Sequence, residues 1–449
     1  MILLDFYRNK RVGVVGLGKT GKSVIDSLTA SGATVISYDD SQISSGKYRN
    51  LSLADFNSEQ LDAIIVSPGI NLLWPSVHPV IKAAKQKSIP ILNDIDLFQQ
   101  HVIAKVNICI TGTNGKSTTA ALVNHLLSFT GKKVSIGCNF GNPILSLDFD
   151  SDFFVLELSS YQLESCNILG FDTSILLNIT PDHLTRHGGI EGYVASKQKI
   201  FANFHEKSNA IVGVDCSSCI KIFEFLKKLN HPNVIPISGK VVPEFGVGWD
   251  KNKLVDNRDG LYRVICGNKA TLDGDHNRQN IAASYAACIQ NGLSEESFCE
   301  GLFLFKGLEH RQEIVIDIDG LPYVNDSKAT NADSTEEALK RFNNIIWILG
   351  GRPKENGIES LIQYFDKIRF ALLIGEIAEE WSILLTKYGV KNEIAKTLNV
   401  AVKRSKEISK IYGAEVVLLS PACASFDQFN GFEDRGNQFK RLVSEEKTK

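Results

Sequence analysis

The stretch VNICITGTNGKSTT, residues 106–119, sets a short β-branched run directly before TGTNGKST, and a segment rich in Ala and Leu follows it. That order reads as strand, phosphate loop and helix. Successive backbone N–H groups in such a turn, with a helix N-terminus behind them, form a concave site for a polyphosphate. Lys116 supplies a mobile positive charge for the β- and γ-phosphates, and the hydroxyl of Ser117 is the usual magnesium ligand. Gly112, Thr113, Asn114, Gly115, Lys116, Ser117 and Thr118 are therefore the candidate ATP loop. The general pattern wants a glycine five residues before Gly115, where this chain has Ile110, so the loop is a shortened variant. The alternative is an ordinary polar turn, but such turns seldom place Gly-Lys before a run of hydroxyl residues at a helix start.

Working outward, 449 residues suggest roughly three domains, and 43% apolar residues suffice for full cores. No run reaches the roughly 18 apolar residues of a membrane span. The start MILLDFYRNKR has its basic residues after a short apolar patch, the reverse of a secretory signal. A cytoplasmic protein without a membrane partner is expected. Nine scattered cysteines do not read as a disulfide framework, and a reducing compartment fits them. Cys216 and Cys219 form a lone CxxC without a second pair or a His at zinc spacing, so two structural thiols are expected. A net charge of -2 gives no general basic field, and nucleic acid is not an expected partner.

A second Gly-rich turn opens the chain. RVGVVGLGKTG is a strand ending in Gly16-Leu17-Gly18-Lys19-Thr20-Gly21, and the strand ATVISYDD ends in Asp39 and Asp40 about 20 residues on. This is the dinucleotide fingerprint, in which glycines admit a pyrophosphate to a helix N-terminus and the acid binds ribose hydroxyls. Taken alone it suggests an NAD enzyme. DAIIVSPGI and IPILNDIDLF complete one α/β domain over residues 1–100. A dehydrogenase would then need a substrate domain with a proton relay, whereas this chain goes straight into a phosphate loop, so two different nucleotides are expected.

Downstream, FFVLELSSYQLE places Glu157 at a strand end, and TSILLNITPDHL does the same for Asp182 and His183. In a parallel sheet these ends share an edge with the phosphate loop, where a carboxylate and an imidazole can hold Mg²⁺. The alternative is a solvated Glu and an N-capping Asp-His turn. YVASKQKIF carries Lys197 and Lys199, each by composition alone a solvated surface charge. DGDHNRQNIAAS begins a helix with His276, Asn277 and Asn280 at ligand-facing spacing, although capping would explain Asn277 equally well. The central domain is expected over 101–306. A third α/β unit over 307–449 contains LPYVNDSKATNADSTEEAL, with Ser334 and Glu337 at capping-box spacing, then IIWILGGRPKENG and EVVLLSPACASFDQFNGFEDRG.

In this order and over the whole chain, TGTNGKST, LELSSYQLE, DHLTRH, the lysine in YVASK, HNRQN, the His-Arg pair at 310–311, NDSKATN and SPACASFDQF resemble the Mur ligases of peptidoglycan synthesis. DSKATN and GLGKTG are most similar to the branch that adds D-glutamate to UDP-N-acetylmuramoyl-L-alanine. The resemblance implies an α/β protein of three domains, each a mainly parallel sheet flanked by helices: N-terminal Rossmann-like, central P-loop ATPase-like and C-terminal Rossmann-like. It also implies a monomer and an ATP-dependent amide ligation through an acyl phosphate.

Carried over by residue, Lys116, His183 and Lys197 would be catalytic. Ser117, Glu157, His183 and Lys197, the last as a carbamate, would hold two Mg²⁺ ions. Asn277, Asn280, Arg311 and Asp326 would complete the ATP site. Lys19, Thr20, Asp39, Ser67, Gly69, Asn139, Ser159 and Gln162 would bind the UDP substrate, with Ser41 where relatives can carry Arg. Thr330, Lys354, Ser425 and Phe432 would hold D-glutamate. A nicotinamide oxidoreductase and a non-catalytic nucleotide-binding protein are the competing readings.

Overall fold

The computed structural model describes the chain apart from residues 42–49, 103–104, 232, 268–271, 273, 354–356 and 448–449. Lys354 therefore lies outside the described residues. Those described form three mostly parallel sheets flanked by helices, the α/β class expected. They fall into two units, Met1–Phe305 and Lys306–Lys449.

In the first unit, a four-stranded parallel sheet runs in the order Thr34–Tyr38, Arg11–Val15, Ala63–Val66, Ile91–Leu92. Its middle strands are almost wholly buried, as helices covering both faces require. Glycine forces the turn after Arg11–Val15. Gly16 has φ +92°, and a Cβ on Gly21 would stand 1.8 Å from the Gly16 carbonyl oxygen. The helix Lys19–Ala30 can start so close to the strand only because Gly21 has no side chain.

The second sheet has nine strands. Val106–Thr111 lies inside it, parallel to Phe153–Glu157 on one side and Thr173–Leu176 on the other. Val134–Cys138, Asn209–Gly213, Val234–Ile237 and Val247–Asp250 extend it in parallel, and Lys253–Asp256 and Arg263–Gly267 close it antiparallel. The chain leaves Val106–Thr111 first towards one side and later towards the other, so its C-terminal end is a topological switch point, where open α/β sheets bind ligands.

The helix Asp94–His101 locks the two sheets together. Asn93 and Asp96 form its capping box. The Asn93 amide also donates to Gln162 O and Ser165 Oγ, while Asp96 accepts the N–H groups of Asn167 and Ile168. Apolar side chains from both sheets, including Val12, Phe98, Phe154 and Leu163, form one core.

The second unit is a six-stranded sheet ordered Glu313–Ile318, Leu321–Asn325, Val416–Leu419, Ile345–Gly350, Ile368–Ile374, Asn392–Lys396. The first pair is an antiparallel hairpin and the remainder are parallel. The helix Ala332–Arg341 corrects one expectation. Its N-cap is Asn331, which accepts the Ser334 N–H at 2.8 Å, so Ser334 lies inside the helix and does not cap it. Asn is as good a cap as Ser, and it comes first in the chain.

Asp94 is buried at the first position of its helix, and among the described residues its Oδ1 has no hydrogen-bond partner. Burial, aided by the Asp96 charge and partly offset by backbone N–H groups, pushes its carboxyl up to about 7. The native state therefore holds a proton that the unfolded chain gives up above its ordinary value of 3.8, and stability falls as pH rises from there to about 7. Asp94→Asn should gain on the wild type across that window, and the gain should level off above it. Urea midpoints of both proteins through the window check this, and a difference independent of pH would refute it.

Candidate active site

The phosphate loop leaves Val106–Thr111 and enters the helix Lys116–Phe129. Gly115, at φ +86°, makes the turn. A second constraint holds it as glycine, because a Cβ there would come within 2.2 Å of Asn280 Oδ1. Asn280 accepts from Thr119 Oγ1 at 3.2 Å and donates to Asn277 Oδ1 at 3.2 Å, so the two asparagines of HNRQN lie together against the loop. Asn277 sits in the first turn of the helix Asp275–Gln290, whose N-cap is Gly274, and the capping explanation for it falls away.

The loop is held open by contacts from distant strand ends. Asn178 accepts the Asn114 N–H at 2.9 Å and donates to the Asn114 carbonyl at 3.2 Å. Thr113 Oγ1 accepts the Thr180 N–H and meets the Tyr193 hydroxyl at 3.1 Å. Ser117 and Thr118 are buried at the helix start. Asn178 and Tyr193 escaped the sequence reading, and the only signal for Asn178 is its place at the end of TSILLN.

Lys116 Nζ donates to the carbonyls of Gly112 at 3.0 Å and Thr113 at 2.9 Å. Lys197 Nζ donates to the same Gly112 oxygen at 2.8 Å and lies 4.7 Å from the centre of the Tyr193 ring. Lys197 is 1% exposed, which overturns the expectation of a solvated surface charge. Burial, with the Lys116 charge beside it, holds its ammonium well below the usual lysine range, although Asp182 and Glu157 pull the other way. Lys199 is half-buried. It donates to the carbonyls of Glu164 and Cys166, at the end of the helix Ser160–Ser165.

Glu157 is buried at its strand end, one register step from the loop strand, and accepts from Asn139 Nδ2 at 2.7 Å. His183 has φ +53° and meets the Tyr161 hydroxyl through Nδ1 at 3.2 Å. Its neighbour His187 is buried between Ser160 and Ser196, and burial lowers it to about 4, so it stays neutral. A hydroxyl, a carboxylate and an imidazole on one sheet edge are donors that suit Mg²⁺. Among the described residues no three His, Cys, Asp or Glu side chains form a cage of their own.

At the first sheet, Asp39 accepts the Leu17 N–H at 2.6 Å and the Ser41 N–H at 2.9 Å. Partial burial would raise its carboxyl, but these bonds outweigh it and lower the value. Ser67 Oγ donates to Gly16 O, and Lys19, Thr20 and Gly69 sit around the same turn. Ser159 and Gln162 form the capping box of Ser160–Ser165. Arg186, in DHLTRH, pairs with Glu164 at 2.5 Å and donates to Ile70 O at 3.2 Å. It ties the turn at His183 to the loop after Ala63–Val66, another contact the sequence did not disclose.

In the second unit, Asp326 accepts from Ser420 Oγ at 2.8 Å and from the Gln312 N–H, and burial raises its carboxyl to about 7. Arg311 is half-buried beside Gln312. Thr330, Ser425 and Phe432 lie on the loops and helix start at the C-terminal edge of this sheet.

Known proteins resemble this chain in sequence and fold. The Mur ligase middle domain matches residues 110–288, and the MurD-like N-terminal domain of Mur ligases matches residues 10–93. A UDP-N-acetylmuramate-alanine ligase from Thermotoga maritima has the same fold at TM-score 0.59 and 17% identity, covering 98% of this chain and all of its own. A MurF ligase from the same organism, solved with ADP, gives 0.57 at 17% identity, covering 99% and 98%. Fold and site thus define a Mur-type ligase. The UDP-N-acetylmuramoylalanine--D-glutamate ligase of Rhodospirillum rubrum is 41% identical over 99% of this chain and 96% of its own, and that of Rickettsia bellii is 37% identical over 98% and 99%. The chain belongs to the UDP-N-acetylmuramoylalanine--D-glutamate ligase family.

Gly115→Ala would combine a left-handed backbone with a methyl driven into Asn280. Overpacking of this kind costs about 1–3 kcal/mol, and here it acts on the phosphate cradle. Affinity for ATP should fall roughly tenfold or more, since 1.4 kcal/mol is a factor of ten. Titration with ATP checks this, and unchanged affinity would show that the loop does not bind nucleotide.

Proposed function

We propose that the protein joins D-glutamate to UDP-N-acetylmuramoyl-L-alanine at the expense of ATP, in the cytoplasm and as a monomer. Residues 1–100 bind the uridine nucleotide, 101–306 bind ATP, and 307–449 bind the amino acid and complete the ATP site. The observation that carries the reading is the pair of lysines on one carbonyl of the phosphate loop, at the switch point of a parallel sheet, in a chain of this family.

The substrate carboxylate attacks the γ-phosphorus of ATP, releasing ADP and leaving an acyl phosphate. The amine of D-glutamate then attacks the acyl carbon, a tetrahedral intermediate collapses, and inorganic phosphate leaves. Phosphoryl transfer depends on positioning and charge stabilisation, and Lys116 supplies the charge by swinging from the loop carbonyls to the transferring group. Asn277 and Asn280 face adenine, Asp326 the ribose, and Arg311 the phosphates. Lys19, Thr20, Asp39, Ser67 and Gly69 hold the uridine end, and Asn139, Ser159 and Gln162 the muramoyl-alanine end. Thr330, Lys354, Ser425 and Phe432 hold D-glutamate.

Two Mg²⁺ ions, held by Ser117, Glu157, His183 and a carbamate on Lys197, would supply Lewis-acid stabilisation of the phosphates. The chain's own chemistry favours that carbamate. Only a neutral amine adds to CO₂, losing one proton as the N–C bond forms, and burial of Lys197 beside Lys116 favours its neutral form. The change also replaces a positive charge by a negative one next to Lys116.

Phosphate release with ATP, UDP-N-acetylmuramoyl-L-alanine and a panel of amino acids tests the function. D-Glutamate should give turnover, and NAD should neither bind nor compete. ATP binding without turnover on any acceptor would instead favour a non-catalytic binding protein. Lys197→Ala should lower kcat about 100-fold, the scale of lost positioning at a reacting group, and short carboxylic acids should restore part of it. Full activity of the variant in bicarbonate-free buffer would remove the carbamate.

A further inference from the structure

The second unit buries an arginine for which the reaction above has no use. Arg435, in the first turn of the helix Phe432–Lys447, is 0% exposed. Its Nε donates to Ser327 Oγ at 3.0 Å, and its Nη2 donates to the carbonyls of Ser327 at 2.8 Å and Cys423 at 3.1 Å. All these partners are uncharged. Among the described residues Nη1 has no hydrogen-bond partner, and it is aimed at Gly351, where a Cβ would stand 3.4 Å from it. Asp427 and Asp326 act on the guanidinium only through space, and burial drags it down to about 10, still cationic at neutral pH. Among the described residues no carboxylate pairs with it; a buried cation so placed is costly, and its field is screened far less than that of a surface charge.

Its neighbours are the loops of the acceptor pocket. Ser327 lies three residues before Thr330, and its hydroxyl donates to Phe432 O at 2.8 Å. Cys423 lies two residues before Ser425. Between them Ala424 exchanges backbone hydrogen bonds with Arg352, at 2.9 and 3.1 Å. One guanidinium thus anchors the segments that carry Thr330, Ser425 and Phe432.

We propose that Arg435 is the positioning and specificity-determining residue of the acceptor pocket: its hydrogen bonds set the mutual placement of these loops, and its unpaired charge selects an acceptor with a second carboxylate. The proposal rests on the reading of this unit as the D-glutamate site. No contact between Arg435 and the substrate is needed, because fixed loops and an unscreened field act at a distance.

Three variants of the full-length protein separate the two roles: Arg435→Met removes bonds and charge, Arg435→Lys keeps the charge, and Ser327→Ala removes one bond. KM for D-glutamate, ATP and the UDP substrate is measured for each, with D-glutamine as the neutral isosteric acceptor and thermal melting as the check on folding. Arg435→Met should raise KM for D-glutamate at least tenfold and cut the preference for D-glutamate over D-glutamine by a similar factor, with the other two KM values within twofold of wild type. Arg435→Lys and Ser327→Ala should raise KM for D-glutamate severalfold and keep the preference. Should Arg435→Met not fold, the Lys and Ala variants decide: an unchanged KM for D-glutamate in both overturns the proposal. A parallel rise of all three KM values, or an intact preference in folded Arg435→Met, also overturns it. A wild-type protein that releases no phosphate with D-glutamate overturns the underlying reading itself, and the two failures are told apart by that control.

Discussion

One oxygen atom, the carbonyl of Gly112, accepts hydrogen bonds from two lysine side chains, and the rest of the catalytic edge answers the charge gathered there. Two cations sharing one acceptor stand about 4–6 Å apart and repel by about 3–4 kcal/mol at an effective dielectric near 20. The chain tolerates this because Lys197 is biased towards its neutral form and because Glu157 and Asp182 face it. The loop geometry that brings the two lysines together depends in turn on Gly115, Asn178 and Asn280, each fixed by a different strand or helix.

The two Gly-rich turns of the chain are braced in different ways. At the first, Asp39 spends its carboxylate on the Leu17 and Ser41 N–H groups, stiffening the turn from within. At the second, the loop is braced from outside by Tyr193 and by Asn178, which takes up the Thr113 and Asn114 N–H groups. Arg186 joins the two regions, since its guanidinium reaches Ile70 from the turn that carries His183. A substrate with a nucleotide at one end and a reacting carboxylate at the other needs such a rigid span.

What the sequence disclosed follows the range of the interactions. The phosphate loop, the strand-end residues Glu157 and His183, and the parallel class of the sheets are written in short stretches, and local pattern suffices to read them. Lys197 is different. Its helix Ile190–Gln198 shows no apolar stripe, so nothing in IEGYVASKQ says which face goes inside. Asn178, Arg186 and Arg435 act on partners dozens of residues away, and no spacing rule reaches that far. The error at Ser334 was local: two good caps stood three residues apart, and the first one won.

The core shared by the first two sheets bears on how such chains are remade. Phe98 stacks edge-on against Phe154 at 5.0 Å, across what looks from the sequence like a seam near residue 100. Severing the chain there would strand Leu97 and Phe98 in water, each forfeiting about 1.5–3 kcal/mol of burial. Gene fusions and exchanges between relatives should therefore respect the joint at Phe305, and the N-terminal sheet is to be transplanted only together with the nine-stranded sheet that shares its core.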